Sequence, residues 1–294
     1  MRRNLLLLII LFFPVQLTAQ FLNGPEHCKQ KYYLSACAMF QQEARFLKEW
    51  IEYHKLVGVE HFYLYNNNST DDFLTVLAPY IESGEVEYFW WPSDPKRDWT
   101  HYQIKAIKDA VDRAKLSSRW LAIIDIDEFI VPNSQNTLID FLAENENQYN
   151  QILVMWRFFG TSWVERIPED KLMVETLIRR TSFVPGEIWL HKAIVKPQTV
   201  LYPNVHDCGI REGGMCLNLA KAQEEYPPLL IHHYWTRDIE FLEDVKRERQ
   251  ERLHQKPWTE EELEHRVNAY NQVEDLTMMR FVPALRETIF KESL

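Results

Sequence analysis

Strand-like and helix-like patterns alternate along the first hundred or so residues after an N-terminal leader, and this alternation constrains the fold more than any other feature. Residues 34–40, 61–65, 86–91 and 120–124 are short apolar or β-branched and aromatic runs. Between them lie amphipathic stretches. Phe46, Leu47, Trp50, Ile51, His54 and Val57 share one helical face, with Gly58 as its stop. Phe73, Leu74, Leu77 and Ile81 mark a second helix, in which Pro79 predicts a kink or an early end. Ile104, Ile107, Ala110, Val111 and Ala114 mark a third. The fully apolar run at 120–124 fits a strand covered on both faces. The expected fold class is therefore α/β, a sheet built from right-handed crossover units. Ligands in such sheets bind beyond the carboxyl ends of the strands. Three polar clusters fall there, at 41–45, 66–72 and 125–128.

The second half is less regular. Residues 138–142 suggest a short helix, 152–159 a strand, 192–201 another strand-like run and 229–234 a last apolar stretch. Helical segments near 238–253, 259–270 and 276–291 close the chain, the second opened by a Thr259/Glu262 capping box. The expected organisation is a leader at 1–20, one domain over 30–237, and a helical extension over 238–294 packed on it. Lys and Arg number 33 against 43 Asp and Glu, a balance that argues against a nucleic-acid partner.

Arg2 and Arg3, the apolar run 5–13 and Thr18-Ala19-Gln20 read as a secretory signal peptide with a cleavage site, or as a short membrane anchor. The expected destination is the secretory pathway, secreted or membrane-associated. Cys28, Cys37, Cys208 and Cys216 are an even set for which disulfides are permitted, and Cys208 with Cys216 could staple a Gly-rich loop.

The chemistry centres on Asp125-Ile126-Asp127, just after the buried run 120–124. A sugar nucleotide that loses its sugar builds negative charge on the departing diphosphate, and a divalent cation stabilises that charge as a Lewis acid. Carboxylates suit hard Mg²⁺ or Mn²⁺. Two Asp side chains at i and i+2 after a strand can reach one ion, or an ion and the donor ribose.

The surrounding residues extend that reading. Residues 43–50, Tyr53-His54, 56–59, 63–69, Gln103 and 125–129 form an ordered series. It continues with Trp156, Phe159-Gly160, Lys192, Pro197 and His233-Tyr234. The chain in this respect resembles glycosyltransferase family 92 and neighbouring glycosyltransferase 2-like enzymes of the GT-A fold. The resemblance implies a GT-A (Rossmann-like) mixed, mostly parallel sheet flanked by helices. It also implies a UDP-sugar donor, a divalent metal (Mn²⁺ or Mg²⁺) and an inverting transfer to a glycan or other hydroxyl acceptor, galactose being favoured. It places Glu43 and Asn67 at the nucleoside with Asp72 nearby, and Gln103, Asp125 and Lys192 in the same nucleotide-binding set. Lys192, Arg211 and Arg237 become candidates for the diphosphate. Asp125 and Asp127 become metal ligands, completed by a late His: His206 is preferred and His233 is its rival.

An inverting transfer needs a carboxylate base. Asp170 lies in the right interval, and Glu165 and Glu175 compete with it. Two other readings fit part of the pattern. One is a haloacid-dehalogenase-like phosphohydrolase, although Glu128-Phe129 is not the small residue expected after its Asp-x-Asp. The other is a secreted sugar- or nucleotide-binding protein of the same fold without catalysis.

Overall fold

A computed structural model describes residues 30–94, 98–184, 190–221, 224–254 and 256–291. The leader and Cys28 lie outside these residues. The first half runs β1 (Tyr32–Phe40), α1 (Ala44–Leu56), β2 (His61–Asn66), α2 (Phe73–Glu82), β3 (Val86–Trp90), α3 (Trp99–Ser117) and β4 (Ser118–Ile123). Next come β5 (Glu128–Pro132), α4 (Leu138–Asn145), β6 (Gln151–Phe158), α5 (Met173–Thr176), β7 (Arg179–Arg180) and β8 (His191–Val195). The short strands β9 (Val200–Tyr202), β10 (Gly209–Ile210) and β11 (Cys216–Asn218) lead to β12 (Leu229–His233). Beyond it, α6 (Ile239–Phe241) passes through a π-helical turn, Leu242–Arg247, into α7 (Glu248–His254). The chain closes with α8 (Glu260–Ala269), β13 (Val273–Glu274) and α9 (Val282–Phe290).

The main sheet has nine strands, ordered β3-β2-β1-β4-β8-β6-β12-β5, with β11 paired to β6. Strands β1 to β4 pair in parallel. So do β6 with β11 and with β12. Within this sheet, among the described residues, the β4–β8, β6–β8 and β5–β12 pairs are antiparallel. The expected mixed, mostly parallel sheet flanked by helices is the one observed.

Alternation along β1 explains how both faces are filled. Leu34, Ala36, Ala38 and Phe40 pack in one core with α1 residues such as Trp50 and Ile51. Cys37 and Met39 point the other way, onto Ala106, Ala110 and Ala114 of α3. A period of two with both faces apolar is what a covered strand requires. Helix α1 ends where expected, the chain turning at Gly58 with φ 110°, a backbone angle that favours glycine. Pro79, by contrast, does not end α2, which runs on to Glu82. The side is exposed there, so water can take the carbonyl that a proline leaves without its helical partner. The strand-like run 192–201 divides into β8, a 3₁₀ turn at Pro197–Thr199 and β9. The thiols of Cys37, Cys208 and Cys216 are all free, so Cys208 and Cys216 do not staple the loop between them. Among the described residues no helix is long and apolar enough to cross a membrane.

Candidate functional site

The Asp-x-Asp segment is the connection between β4 and β5, at the carboxyl ends of β1 and β4. Trp50 of α1, fully buried, holds it from below. Its indole Nε1–H is shared between the carbonyls of Asp125 (3.1 Å) and Glu128 (3.0 Å). Such a fork fixes the turn, because a buried N–H and two inward-facing carbonyls are satisfied together.

Above the turn lies a cleft of about 490 Å³ lined by Glu43, Gln103, Asp125, Asp127, Lys192, His206 and His233, among others. Asp125 is engaged by both of its oxygens. Gln103 Nε2 donates to Oδ1 at 2.8 Å and Lys192 Nζ to Oδ2 at 2.7 Å. Asp127 accepts from Lys246 Nζ at 2.9 Å on Oδ2, while His233 Nε2 stands 3.3 Å from Oδ1. Burial alone would raise the Asp127 carboxyl, but Lys246 and His233 outweigh it and hold the group well below the usual carboxylate range. For Glu128 burial wins over Lys192 and lifts the carboxyl well above its ordinary value. Burial also lowers His233, against the opposing pull of Asp127.

Asp127, Glu128 and His233 each offer one ligand atom, all within 4.8 Å of one another. Glu128 Oε1 and His233 Nδ1 are buried and have no hydrogen-bond partner among the described residues. Glu128 does not itself line the cleft, but its orphaned Oε1 stands 4.0 Å from His233 Nε2, and an unpaired buried acceptor there is one that a cation would satisfy. Two carboxylates with one imidazole form a donor set that fits Mn²⁺ or Mg²⁺.

His233 reaches this cluster through strand register. Strand β12 pairs antiparallel with β5 so that His233 lies opposite Glu128, and Tyr234 N donates to Asp127 O at 2.8 Å. His206, the preferred candidate from sequence, lines the cleft but not the cluster. Its Nδ1 faces the His191 carbonyl at 3.0 Å, and its ring packs at the edge of Trp156. The sequence shows two histidines near strand ends, and only the pairing between distant strands distinguishes them. His233→Ala is accordingly expected to weaken Mn²⁺ binding in the presence of UDP by at least about tenfold, the scale of losing one buried charge-assisted contact. His206→Ala is expected to leave it within about twofold. Titration of the metal into each variant checks this, and the reverse order contradicts it.

The other candidates divide. Glu43, Gln103 and Lys192 line the cleft beside Asp125. Glu43 is also paired with the buried Arg237 at 2.8 Å, which places Arg237 behind the cleft wall. Asn67 is buried, its amide donating to Trp91 O at 2.8 Å and its carbonyl accepting from Ser93 Oγ at 2.9 Å. Asp72 precedes α2 and accepts from Thr75 Oγ1 at 2.6 Å. Neither lines the cleft. Arg211 lines a different groove, with Arg119 and Lys196. Asp170 is exposed in the turn 168–171, whose Glu169 and Lys171 border a separate pocket of about 250 Å³. Glu165 is exposed, and Glu175 accepts from Leu172 N at 3.0 Å and pairs with Arg286. None of the three expected bases therefore lines the cleft; the segment that carries Glu165 instead pairs with the turn after β12, Val164 O and Glu165 O accepting from Ile239 N and Glu240 N at 3.0 Å.

The structure adds residues that local sequence does not mark. Glu128 belongs to the same polar cluster as Asp127 but reads there only as its neighbour. Lys246 and Arg249 sit in a charged helical stretch that reads as solvated, yet both line the cleft.

Residues 30–272 match the sequence model of glycosyltransferase family 92. A glycosyltransferase family 92 protein of Ricinus communis is 30% identical over 226 residues, 73% of this chain and 38% of that protein. Another, from Oryza sativa subsp. japonica, is 30% identical over 216 residues, 71% of this chain and 34% of that protein. A galactan beta-1,4-galactosyltransferase of Arabidopsis thaliana is 28% identical over 112 residues, 37% of this chain and 21% of that protein. The chain thus spans roughly a third of the length of the curated family 92 relatives it matches. Among solved structures, S. aureus TarS 1-349 is 11% identical, covers 88% of this chain and 75% of that chain, and has a TM-score of 0.42.

Proposed function

This chain belongs to glycosyltransferase family 92, and from that premise we propose that it transfers a sugar from a UDP-sugar to a hydroxyl of a glycan acceptor with inversion at the anomeric carbon. Galactose is the favoured sugar, supported by the galactan galactosyltransferase relative. The observation that carries the reading is the cleft itself, at the carboxyl ends of β1 and β4. It gathers Asp125, Asp127 and His233 with the cations Lys192 and Lys246, and the buried Glu128 stands directly behind Asp127 and His233. Family membership leaves the phosphohydrolase alternative without support. The same proposal places the chain in the secretory pathway, secreted or membrane-associated, on the strength of the leader at 1–20.

In the reaction, the bond between the anomeric carbon and the β-phosphate oxygen breaks, and its electron pair stays on that oxygen. The acceptor oxygen forms the new bond from the opposite face and gives up its proton to a base. Asp127, Glu128 and His233 are the residues that would hold Mn²⁺ or Mg²⁺, which when bound supplies Lewis-acid neutralisation of the diphosphate. Gln103 and Lys192 fix Asp125 in one orientation, so that it can meet a ribose hydroxyl or a phosphate-side ligand without first reorganising. Trp50 keeps both ends of the turn in register. Release of UDP from a panel of UDP- and GDP-sugars, with Mn²⁺ and galactan-type acceptors, tests the reading. UDP formed from UDP-galactose supports it. A protein that binds UDP and turns over no donor with any acceptor points instead to a binding protein of the same fold.

A further inference from the structure

Segment 238–254 does more than cover the domain. Lys246 lies on the π-helical turn Leu242–Arg247 and is buried. Its Nζ stands 2.9 Å from Asp127 Oδ2 and 5.4 Å from the centre of the Trp235 ring. Arg249 follows three residues later, which puts it on the same side of the helical segment. Its guanidinium carbon lies 5.5 Å from the centre of the Trp99 ring, and its Nη2 donates to Gln41 O at 2.9 Å. Arg252 Nη2 donates to Gln41 Oε1 at 2.6 Å, so α7 is stitched to the residue that follows β1. Arg249 Nε is buried and has no hydrogen-bond partner among the described residues. A buried guanidinium donor without an acceptor is costly unless an anion completes it. A π-turn is likewise an unfavourable way to continue a helix and recurs at functional sites.

The two cations line one wall of the cleft, from Trp99 near Gln103 to Trp235 beside His233. We propose that Lys246 and Arg249 clamp the diphosphate of the nucleotide-sugar donor, so that the helical segment after β12 is part of the donor site. The inference rests on the donor reading above and assigns to these two residues the role that sequence suggested for Arg211 and Arg237. Two adjacent anionic phosphates match an ammonium and a guanidinium side by side. Charge that develops on the departing phosphate oxygen meets donors already in place.

The test compares the affinities of UDP, UMP and uridine, with Mn²⁺ present, for the wild type, Lys246→Met, Arg249→Met and Lys246→Arg. Each Met variant is expected to lose about tenfold or more in UDP affinity, while uridine stays within about twofold of wild type. UMP should fall in between, and Lys246→Arg should keep most of the UDP affinity. A purely structural role predicts that UDP and uridine weaken in parallel, and that result overturns the clamp. Wild type that binds UDP, with Met variants that bind it equally well, overturns the clamp and leaves the donor reading standing. Wild type that binds no UDP at all overturns both.

Discussion

Replacing Asp127 with Asn is expected to lower UDP-sugar turnover by about a hundredfold or more, as does loss of other electrostatic stabilisers of developing charge. The substitution keeps the side-chain shape and removes one charge from the group that Lys246 and His233 address. UDP binding by the variant should lose its dependence on Mn²⁺. A stability cost should accompany these effects. The folded-state carboxyl is held well below its ordinary value, so the charged form contributes stability at neutral pH that Asn cannot supply. In the wild type that contribution is present above the ordinary carboxylate range and is lost progressively as the pH falls from that range through the depressed value. Hydrogen bonds to a charged group place the cost on the order of 2 kcal/mol. Initial rates should therefore be compared at a temperature where a melting curve shows the variant folded. A folded Asp127→Asn variant as active as wild type contradicts the assignment.

Arg237→Met carries the largest expected loss of stability. Arg237 and Glu43 are both buried, and their pair at 2.8 Å joins the residue before α1 to the turn after β12. Removing one partner leaves the other charge buried alone, which costs about 3–5 kcal/mol. For a domain of this size that corresponds to a fall in melting temperature on the order of 10 °C. Glu43→Gln combined with Arg237→Met should recover part of the loss, since no stranded charge remains. A single variant that melts within about two degrees of wild type would show that the pair contributes little.

How much of this can be read in the sequence depends on the distance over which each feature is encoded. The alternation of β1 to β4 with α1, α2 and α3 could be read directly, because a covered parallel strand is apolar throughout and a packed helix repeats every three to four residues. The position of Asp125 and Asp127 followed from the strand before them. What could not be read was pairing between distant segments. Nothing local says that β8 enters the sheet antiparallel between β4 and β6, or that β12 sets His233 opposite Glu128 while His206 faces a backbone carbonyl. Asp170 illustrates the same limit, since an interval along the chain cannot tell which way a loop leaves the sheet. Lys246 and Arg249 were hidden for another reason. In a stretch of alternating charge, two cations that turn inward look like all the others, and only their contacts with distant segments, Lys246 with Asp127 and Arg249 with Gln41, separate them from the solvated face.

The proposed function requires that this cleft bind a nucleoside diphosphate through a divalent cation at Asp127, Glu128 and His233. Titrating UDP into the wild-type protein with Mn²⁺, and again after EDTA, tests it most directly. Saturable UDP binding is expected with Mn²⁺, falling by at least about tenfold once the metal is chelated. UDP binding of the same strength with and without EDTA contradicts it.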